Sequence, residues 1–245
     1  MLKELLLPLV KYASFFNVLK YITFRAAYAA ITALLISFVF GPKFIRTLKR
    51  LKLGQSVRPD GPETHLVKTG TPTMGGILII FSVFCSVLLW QDLRNLYTWI
   101  ATFSLLSFGA LGFVDDYLKI TKKNSNGLKA WVKLMWQTII ATVIVVFLYV
   151  NRNDHTTLLY LPFIKYPVFD LSAFYIPFGI FWLVGFSNAV NLTDGLDGLA
   201  IGLVMLVCIA FTVLSYLTGR ADYAAYLLIP YLPESAELTI FCFAL

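Results

Sequence analysis

The sequence predicts an all-α protein, a polytopic transmembrane helical bundle with six full spans and the start of a seventh. Three observations predict it. Hydrophobic residues make up 59% of the 245-residue chain and charged residues 13%, with a mean hydropathy of +0.78. A soluble domain is nearer half apolar and a quarter charged, so this chain has too little polar surface to coat one. The apolar residues fall into charge-free runs, each close to the ~20 residues a helix needs to cross the hydrocarbon. The basic residues concentrate in two of the segments between those runs, as cytoplasmic loops of membrane proteins do. The same composition excludes a disordered chain, a nucleic-acid arm and a disulfide scaffold. The net charge of +7 belongs to loops beside a bilayer, and no nucleic-acid partner is expected.

The elements follow in order. Met1 to Arg25 mixes apolar residues with Lys3, Glu4, Lys11, Lys20 and Arg25. Ala27-Tyr28-Ala29 resembles a signal-peptide cleavage site, but the apolar run continues through it to Phe40. The segment therefore reads as an interfacial helix leading into the first span. The expected spans are Ala26–Pro42, Thr69–Gln91, Leu96–Val114, Leu134–Asn151, Leu171–Thr193 and Gly198–Gly219, with a seventh beginning at Leu238. Tyr223–Pro233 is apolar but short and carries two prolines, so it reads as an interfacial piece. Cys85, Cys208 and Cys242 each lie inside an apolar run and read as buried small hydrophobes. Backbone groups in hydrocarbon must be satisfied internally, which leaves a helical bundle as the architecture.

Orientation follows from loop charge. Gly41–Gly70 carries Lys43, Arg46, Lys49, Arg50, Lys52, Arg58 and Lys68, and Asp115–Lys133 carries Lys119, Lys122, Lys123, Lys129 and Lys133. The other connections hold only Arg94, Arg152, Lys165 and Arg220. Residues 41–70 and 115–133 are therefore expected in the cytoplasm, and alternation brings the turn 191–197 to the same face. The basic residues of the N-terminus then fall outside, a mild counter-signal. Residues 1–245 form one transmembrane catalytic domain in this reading.

Those three polar segments also hold the unusual residues. The first runs from Gly54 to His65 and on through Lys68-Thr-Gly-Thr-Pro-Thr-Met-Gly-Gly76. Its glycines and prolines mark an ordered loop. Thr69 to Thr73, where a span begins, can offer backbone N–H groups to a phosphate, with Lys68 as a cation beside them; the bland alternative is a re-entry turn with a positive-inside lysine. His65 reads as a loop histidine as readily as a ligand.

The second segment is Phe113-Val-Asp115-Asp116-Tyr-Leu-Lys119. Ionisable residues at membrane depth are expensive and tend to be functional. Adjacent helical residues point about 100° apart, so one acid can hold a hard cation while the other orients a substrate or accepts a proton. A pair of carboxylates capping a helix C-terminus would oppose the helix dipole. Lys119 stands four residues after Asp115, a spacing that an ordinary i,i+4 salt bridge also explains. Lys133 and Gln137 make a second such pair, and Lys133 either holds a phosphate or snorkels to the interface.

The third segment is Asn188-Ala-Val-Asn191-Leu-Thr-Asp194-Gly195-Leu-Asp197-Gly198. The i,i+3 spacing of Asp194 and Asp197 would put both on one helix face, and the glycines permit close backbone approach to a ligand. A tight turn would need one capping acid, not two. Four acids, two or three lysines and glycine-rich turns on one membrane face suit a divalent metal and phosphorylated substrates.

At Gly54–Gly76, Phe113–Lys119 and Asn188–Ala200 the chain resembles the bacterial phospho-N-acetylmuramoyl-pentapeptide-transferase family, within the polyprenyl-phosphate N-acetylhexosamine-1-phosphate transferase superfamily. The resemblance runs from Met1 to Leu245. It implies ten transmembrane helices in the bacterial inner membrane. It also implies transfer of phospho-MurNAc-pentapeptide from UDP-MurNAc-pentapeptide to undecaprenyl phosphate, giving lipid I and UMP, with Mg2+ as cofactor. This is the first membrane step of peptidoglycan synthesis. By the resemblance, Asp115, Asp116 and Asp194 are the expected catalytic acids, and Asp115 and Asp116 the expected metal ligands. Lys68, Lys119 and Lys133 match the basic residues near the phosphates, and Asn191, Gly195, Leu196 and Asp197 the third motif beside the uridine pocket. The bilayer and a second copy of the chain complete the expected partners.

The chain departs from the family pattern at its C-terminus. That pattern continues with a further Asp-bearing loop and a His-rich loop, whereas the only histidines here are His65 and His155. A C-terminally truncated chain with an incomplete site is therefore expected. Two other readings compete. A sibling transferase using UDP-GlcNAc shares the Asp-Asp motif but should lack the Thr71–Gly76 loop. A lipid or solute transporter would carry its ionisable residues near mid-span and show inverted repeats.

Overall fold

The computed structural model describes residues 2–50, 74–121, 127–161, 164, 166–194 and 198–245. Among these, long apolar helices dominate, as the composition requires. α1 (Leu2–Leu6) and two 3-10 segments, Leu7–Lys11 and Ser14–Lys20, lead into α2 (Ile22–Arg50). α3 (Gly76–Trp90), α4 (Leu96–Thr121) and α5 (Ala130–Val150) follow. α6 (Tyr175–Thr193), α7 (Leu199–Thr218), the short α8 (Ala221–Leu227) and α9 (Leu238–Ala244) complete the described order. A small antiparallel ladder, β1 (Leu158–Leu159) with β2 (Phe169–Asp170), closes the α5–α6 connection. Among the described residues five helices are long and apolar enough to cross a membrane: α2, α4, α5, α6 with the 3-10 turn before it, and α7. The protein is thus an all-α, multi-pass membrane bundle.

The helix ends correct several expectations. α2 does not stop at Pro42. It runs on to Arg50, so 41–50 is helix and not loop. At ~1.5 Å per residue its 29 residues reach about 43 Å, well past a ~30 Å hydrocarbon core. Proline costs one intrahelical hydrogen bond, and Pro42 sits where the helix leaves the apolar run, so that loss is cheap. The expected start of the second span at Thr69 lies outside the described residues. Met74 has φ 70°, a left-handed conformation that interrupts α-helix, and α3 starts only at Gly76. Its 15 residues reach about 22 Å. The N-terminal segment is α- and 3-10-helical by turns instead of one interfacial helix. Tyr223–Pro233 does hold a short helix, α8, and α9 begins at Leu238 as read. The cysteines are free but half-buried, not buried.

Neighbouring helices run antiparallel, and the side chains show it. Along α2 and α3, Arg25 and Thr32 meet Trp90 while Ser37 meets Ser82, 3.0 Å away. Along α5 and α6, Gln137 meets Asn188 while the Tyr149 and Tyr175 rings stack at 6.4 Å. One end of the bundle therefore gathers the C-terminal ends of α2, α4 and α6 with the N-terminal ends of α3, α5 and α7. The core lies towards the opposite end, where Ala26 and Ala29 of α2 pack on Ile240 and Ala244 of α9, flanked by Ile22 and Trp90. The alanines let these two helices approach closely.

A buried polar node sits beside that core. Arg25 is only 2% exposed. Its guanidinium donates to both carboxylate oxygens of Glu237, at 2.9 and 2.6 Å, and to the Trp90 carbonyl at 3.1 Å. The Asp92 amide also donates to Glu237, and Gln91 to the Glu237 carbonyl. Nearby, Lys3 pairs with Asp92 at 2.6 Å and Arg94 with Glu4 at 2.7 Å. Burial works to raise the Asp92 carboxyl, but the Lys3 ammonium and the Arg94 amide outweigh it and hold it below its ordinary value. These pairs explain the counter-signal in the loop charges. Two of the N-terminal basic residues, Lys3 and Arg25, are neutralised by acids on the same end of the bundle.

Candidate functional site

α4 carries the acids through the end of the apolar run without stopping. Asp115 and Asp116 lie inside the helix, which continues past the expected span end at Val114 to Thr121, so the capping pair that the dipole argued against is not what the chain forms. The dipole objection to a capping pair therefore does not arise. Lys119, one turn on, reaches back to both acids: its Nζ is 2.7 Å from Asp115 Oδ2 and 3.2 Å from Asp116 Oδ1. Both spacings, i,i+4 and i,i+3, fall on one helix face. Asp115 is 9% exposed, whereas Asp116 is half-buried. The other Asp115 oxygen, Oδ1, accepts a hydrogen bond from the Leu128 amide at 2.7 Å. Asp115 thus has both oxygens committed. Asp116 keeps Oδ2 clear of any partner among the described residues.

The N-terminal end of α5 supplies the second cation. Lys133 lies in the first turn of that helix, half-buried, and its field together with that of Lys119 reaches Asp115. It does not pair with Gln137. That amide is turned inward, 2% exposed, and is spent on α6: Gln137 Nε2 donates to Ser187 Oγ at 3.1 Å, and Asn188 Nδ2 donates to Gln137 Oε1 at 2.8 Å. Asn188 also donates to the Val184 carbonyl, 2.9 Å away. Its amide is therefore an interhelical hook and not a ligand-facing group.

The third segment is placed in part. Asn191 is exposed in the last turn of α6, and Asp194 is exposed in the turn just past its end, with φ −76° and ψ 49°. α6 ends at Thr193 and α7 starts at Leu199, so Asp194 stands outside both helices, and the expected shared face with Asp197 falls on a residue outside the described ones. Gly198 has φ 81°, the left-handed conformation that glycine adopts at little cost. Lys68, Gly195, Leu196 and Asp197 lie outside the described residues. Antiparallel packing of α5 on α6 brings Asn191 and Asp194 to the same end of the bundle as Asp115, Asp116, Lys119 and Lys133. Among the described residues no hydrogen bond or ion pair joins the two groups.

Among the described residues no three Asp, Glu, His or Cys side chains converge as a ready metal cage. The donors that are present are hard carboxylate oxygens. Mg2+ is usually held by one or two carboxylates together with water and substrate phosphates. A half-buried Asp116 with one oxygen to spare, beside the constrained Asp115, fits that habit. Sequence reasoning did not find the Leu128 amide, because a backbone donor carries no residue signature. It also did not find the Gln137–Asn188 hook, whose only signal was a pair of amides inside apolar runs.

The chain is similar to known proteins in both halves. Residues 96–243 match Glycosyl transferase family 4, and residues 68–80 match phospho-N-acetylmuramoyl-pentapeptide-transferase signature 1. Three curated relatives bear the name phospho-N-acetylmuramoyl-pentapeptide-transferase. The protein from Thermodesulfovibrio yellowstonii is 52% identical over 246 residues, that from Desulfovibrio desulfuricans 50% over 245, and that from Desulfosudis oleivorans 48% over 245. Each alignment covers 100% of this chain and 68% of the relative. About half of all positions agree along the entire chain, and the signature falls on residues 68–80. The chain belongs to the phospho-N-acetylmuramoyl-pentapeptide-transferase family.

Proposed function

We propose that the protein transfers phospho-MurNAc-pentapeptide from UDP-MurNAc-pentapeptide to undecaprenyl phosphate, giving lipid I and UMP. The observation that carries this reading is the whole-chain match, at 48–52% identity, to relatives that bear the transferase name. The site supports it chemically. In the reaction an oxygen of the lipid phosphate attacks the sugar-bearing phosphorus of the nucleotide sugar. A new P–O bond forms, the P–O bond to UMP breaks, and UMP leaves with the electron pair. Two anions must approach, so charge neutralisation dominates the barrier.

Lys119 and Lys133 supply that neutralisation, and Lys68 of the matched signature adds to it. Lys119 is held at its post by Asp115 and Asp116 and exchanges a carboxylate for a phosphate oxygen as substrate arrives. Asp116 is the freer donor for Mg2+, which when bound would neutralise charge on the diphosphate. A phosphate monoester loses its second proton near pH ~6, so the nucleophile is already ionised at neutral pH. Asp115, with both oxygens tied, orients this array more than it serves as an obligatory base. By the family resemblance Asn191, Gly195, Leu196 and Asp197 serve the uridine moiety, and Asp194 is the third catalytic acid.

The site end faces the cytoplasm of a bacterial inner membrane in this reading. Lys43, Arg46, Lys49 and Arg50 of α2 crowd that end, whereas Lys3, Arg25 and Arg220 of the other end are paired with acids. The full-length protein, incubated with labelled UDP-MurNAc-pentapeptide and undecaprenyl phosphate in detergent or vesicles, is expected to form a labelled lipid-linked product together with UMP. No lipid-linked label would overturn the assignment.

A further inference from the structure

We infer that Gly127 is a positioning residue for the transfer reaction: the absence of a side chain there lets the Leu128 amide clamp Asp115 and fixes the Asp115–Lys119 pair in place. The inference rests on the proposed transferase reading and goes beyond it, to a residue that carries no functional group.

The geometry is specific. A Cβ built on Gly127 would run into Asp115 Oδ1, and would stand 2.9 Å from Asp115 Cγ and 2.8 Å from Lys119 Cε. Real Cβ atoms do not approach heavy atoms so closely. The crowded atoms belong to Asp115, which is buried and tied on both oxygens, and to Lys119, which is held by its ion pairs with Asp115 and Asp116. The next residue, Leu128, donates its N–H to Asp115 Oδ1 at 2.7 Å. The chain therefore passes so close to α4 that only glycine fits, and that closeness delivers the amide. The amide in turn leaves Asp115 only Oδ2 for Lys119, which sets where the ammonium stands. A charge-assisted bond of this kind gives direction as well as energy. By contrast, Gly112, one turn earlier on α4, would place a Cβ in open space.

A methyl group at Gly127 must push the loop or the carboxylate away. Misplacement of about 1 Å at a positioning group costs up to ~100-fold in rate. The test compares Gly127→Ala, Leu128→Pro and Gly112→Ala in the full-length protein. Leu128→Pro removes the amide donor without adding a Cβ at 127. Rates are expressed per folded protein, from size-exclusion and thermal unfolding in detergent. Gly127→Ala and Leu128→Pro are expected to lower kcat roughly 10- to 100-fold, with KM for the nucleotide sugar within about twofold, and Gly112→Ala to match the parent. Unimpaired kcat in Gly127→Ala, a loss shared by Gly112→Ala, a loss that appears in KM, or a loss accounted for by unfolded protein overturns the inference alone. No transfer by the unaltered protein overturns the function itself, and this inference with it.

Discussion

Asp115 and Asp116 are adjacent and chemically identical, yet their surroundings divide them. Asp115 is buried, tied to Lys119 and to a backbone amide; Asp116 is half-buried with an oxygen to spare. If Asp115 orients instead of acting as an obligatory base, Asp115→Asn lowers turnover but leaves it measurable above the ~6 at which the lipid phosphate ionises. Transfer assays across pH check this, and turnover abolished at every pH would contradict it. At the far end, Arg25 and Glu237 show what a buried charge demands. Removing one partner of such a pair costs about 3–5 kcal/mol, because the other is left uncompensated. Glu237→Ala is expected to destabilise by that amount in thermal or denaturant unfolding, and the paired change Arg25→Met with Glu237→Leu is expected to recover most of it. The site acids were legible from the sequence because acids at the edge of an apolar run are conspicuous. The Arg25–Glu237 pair was not, since its members lie 212 positions apart.

Helices begin and end here for reasons that charge patterns capture only in part. The apolar runs located the spans, because hydrophobic length is a local property. The helix ends were missed at α2 and α4, where the backbone keeps its hydrogen bonds beyond the apolar run, through Lys43 to Arg50 and through Asp115 to Thr121. Two turns have a definite backbone demand. Gly198 has φ 81° with nothing near its missing Cβ, so Gly198→Ala is expected to cost only the left-handed conformational penalty, about 1–2 kcal/mol. At Gly219 a Cβ would meet the backbone of Ala236, with Cα at 2.7 Å and N at 2.8 Å. Backbone cannot rotate away, so Gly219→Ala is expected to lower the unfolding midpoint more than Gly198→Ala does. Equal midpoints for the two would contradict this reading of the α7 end.

Alternation of antiparallel helices gives the whole molecule two chemically distinct ends. One carries Lys43, Arg46, Lys49 and Arg50 of α2 together with the Asp115–Asp116–Lys119 cluster. The other carries the paired charges Lys3–Asp92, Arg25–Glu237 and Arg220–Asp222. Single-cysteine variants at Arg46 and Asp222, made in a cysteine-free background, are expected to react with a membrane-impermeant thiol reagent from opposite faces, with Arg46 labelled only after the cytoplasmic side is opened. Labelling of both from one side would refute the alternation. The sequence by itself determined that the protein lives in a membrane and where its apolar runs lie, and it set the faces expected of its polar segments. Those properties depend on hydrophobic length, charge count and parity along the chain, all of them local or additive. Only the tertiary structure decided what each polar group does once there. Gln137 holds Asn188 instead of Lys133, Asp194 stands just past the end of α6, and the Leu128 amide takes one oxygen of Asp115. A hydrogen bond in a low-dielectric interior is decided by which partner comes within about 3 Å. That distance is a property of packed helices and not of residue spacing.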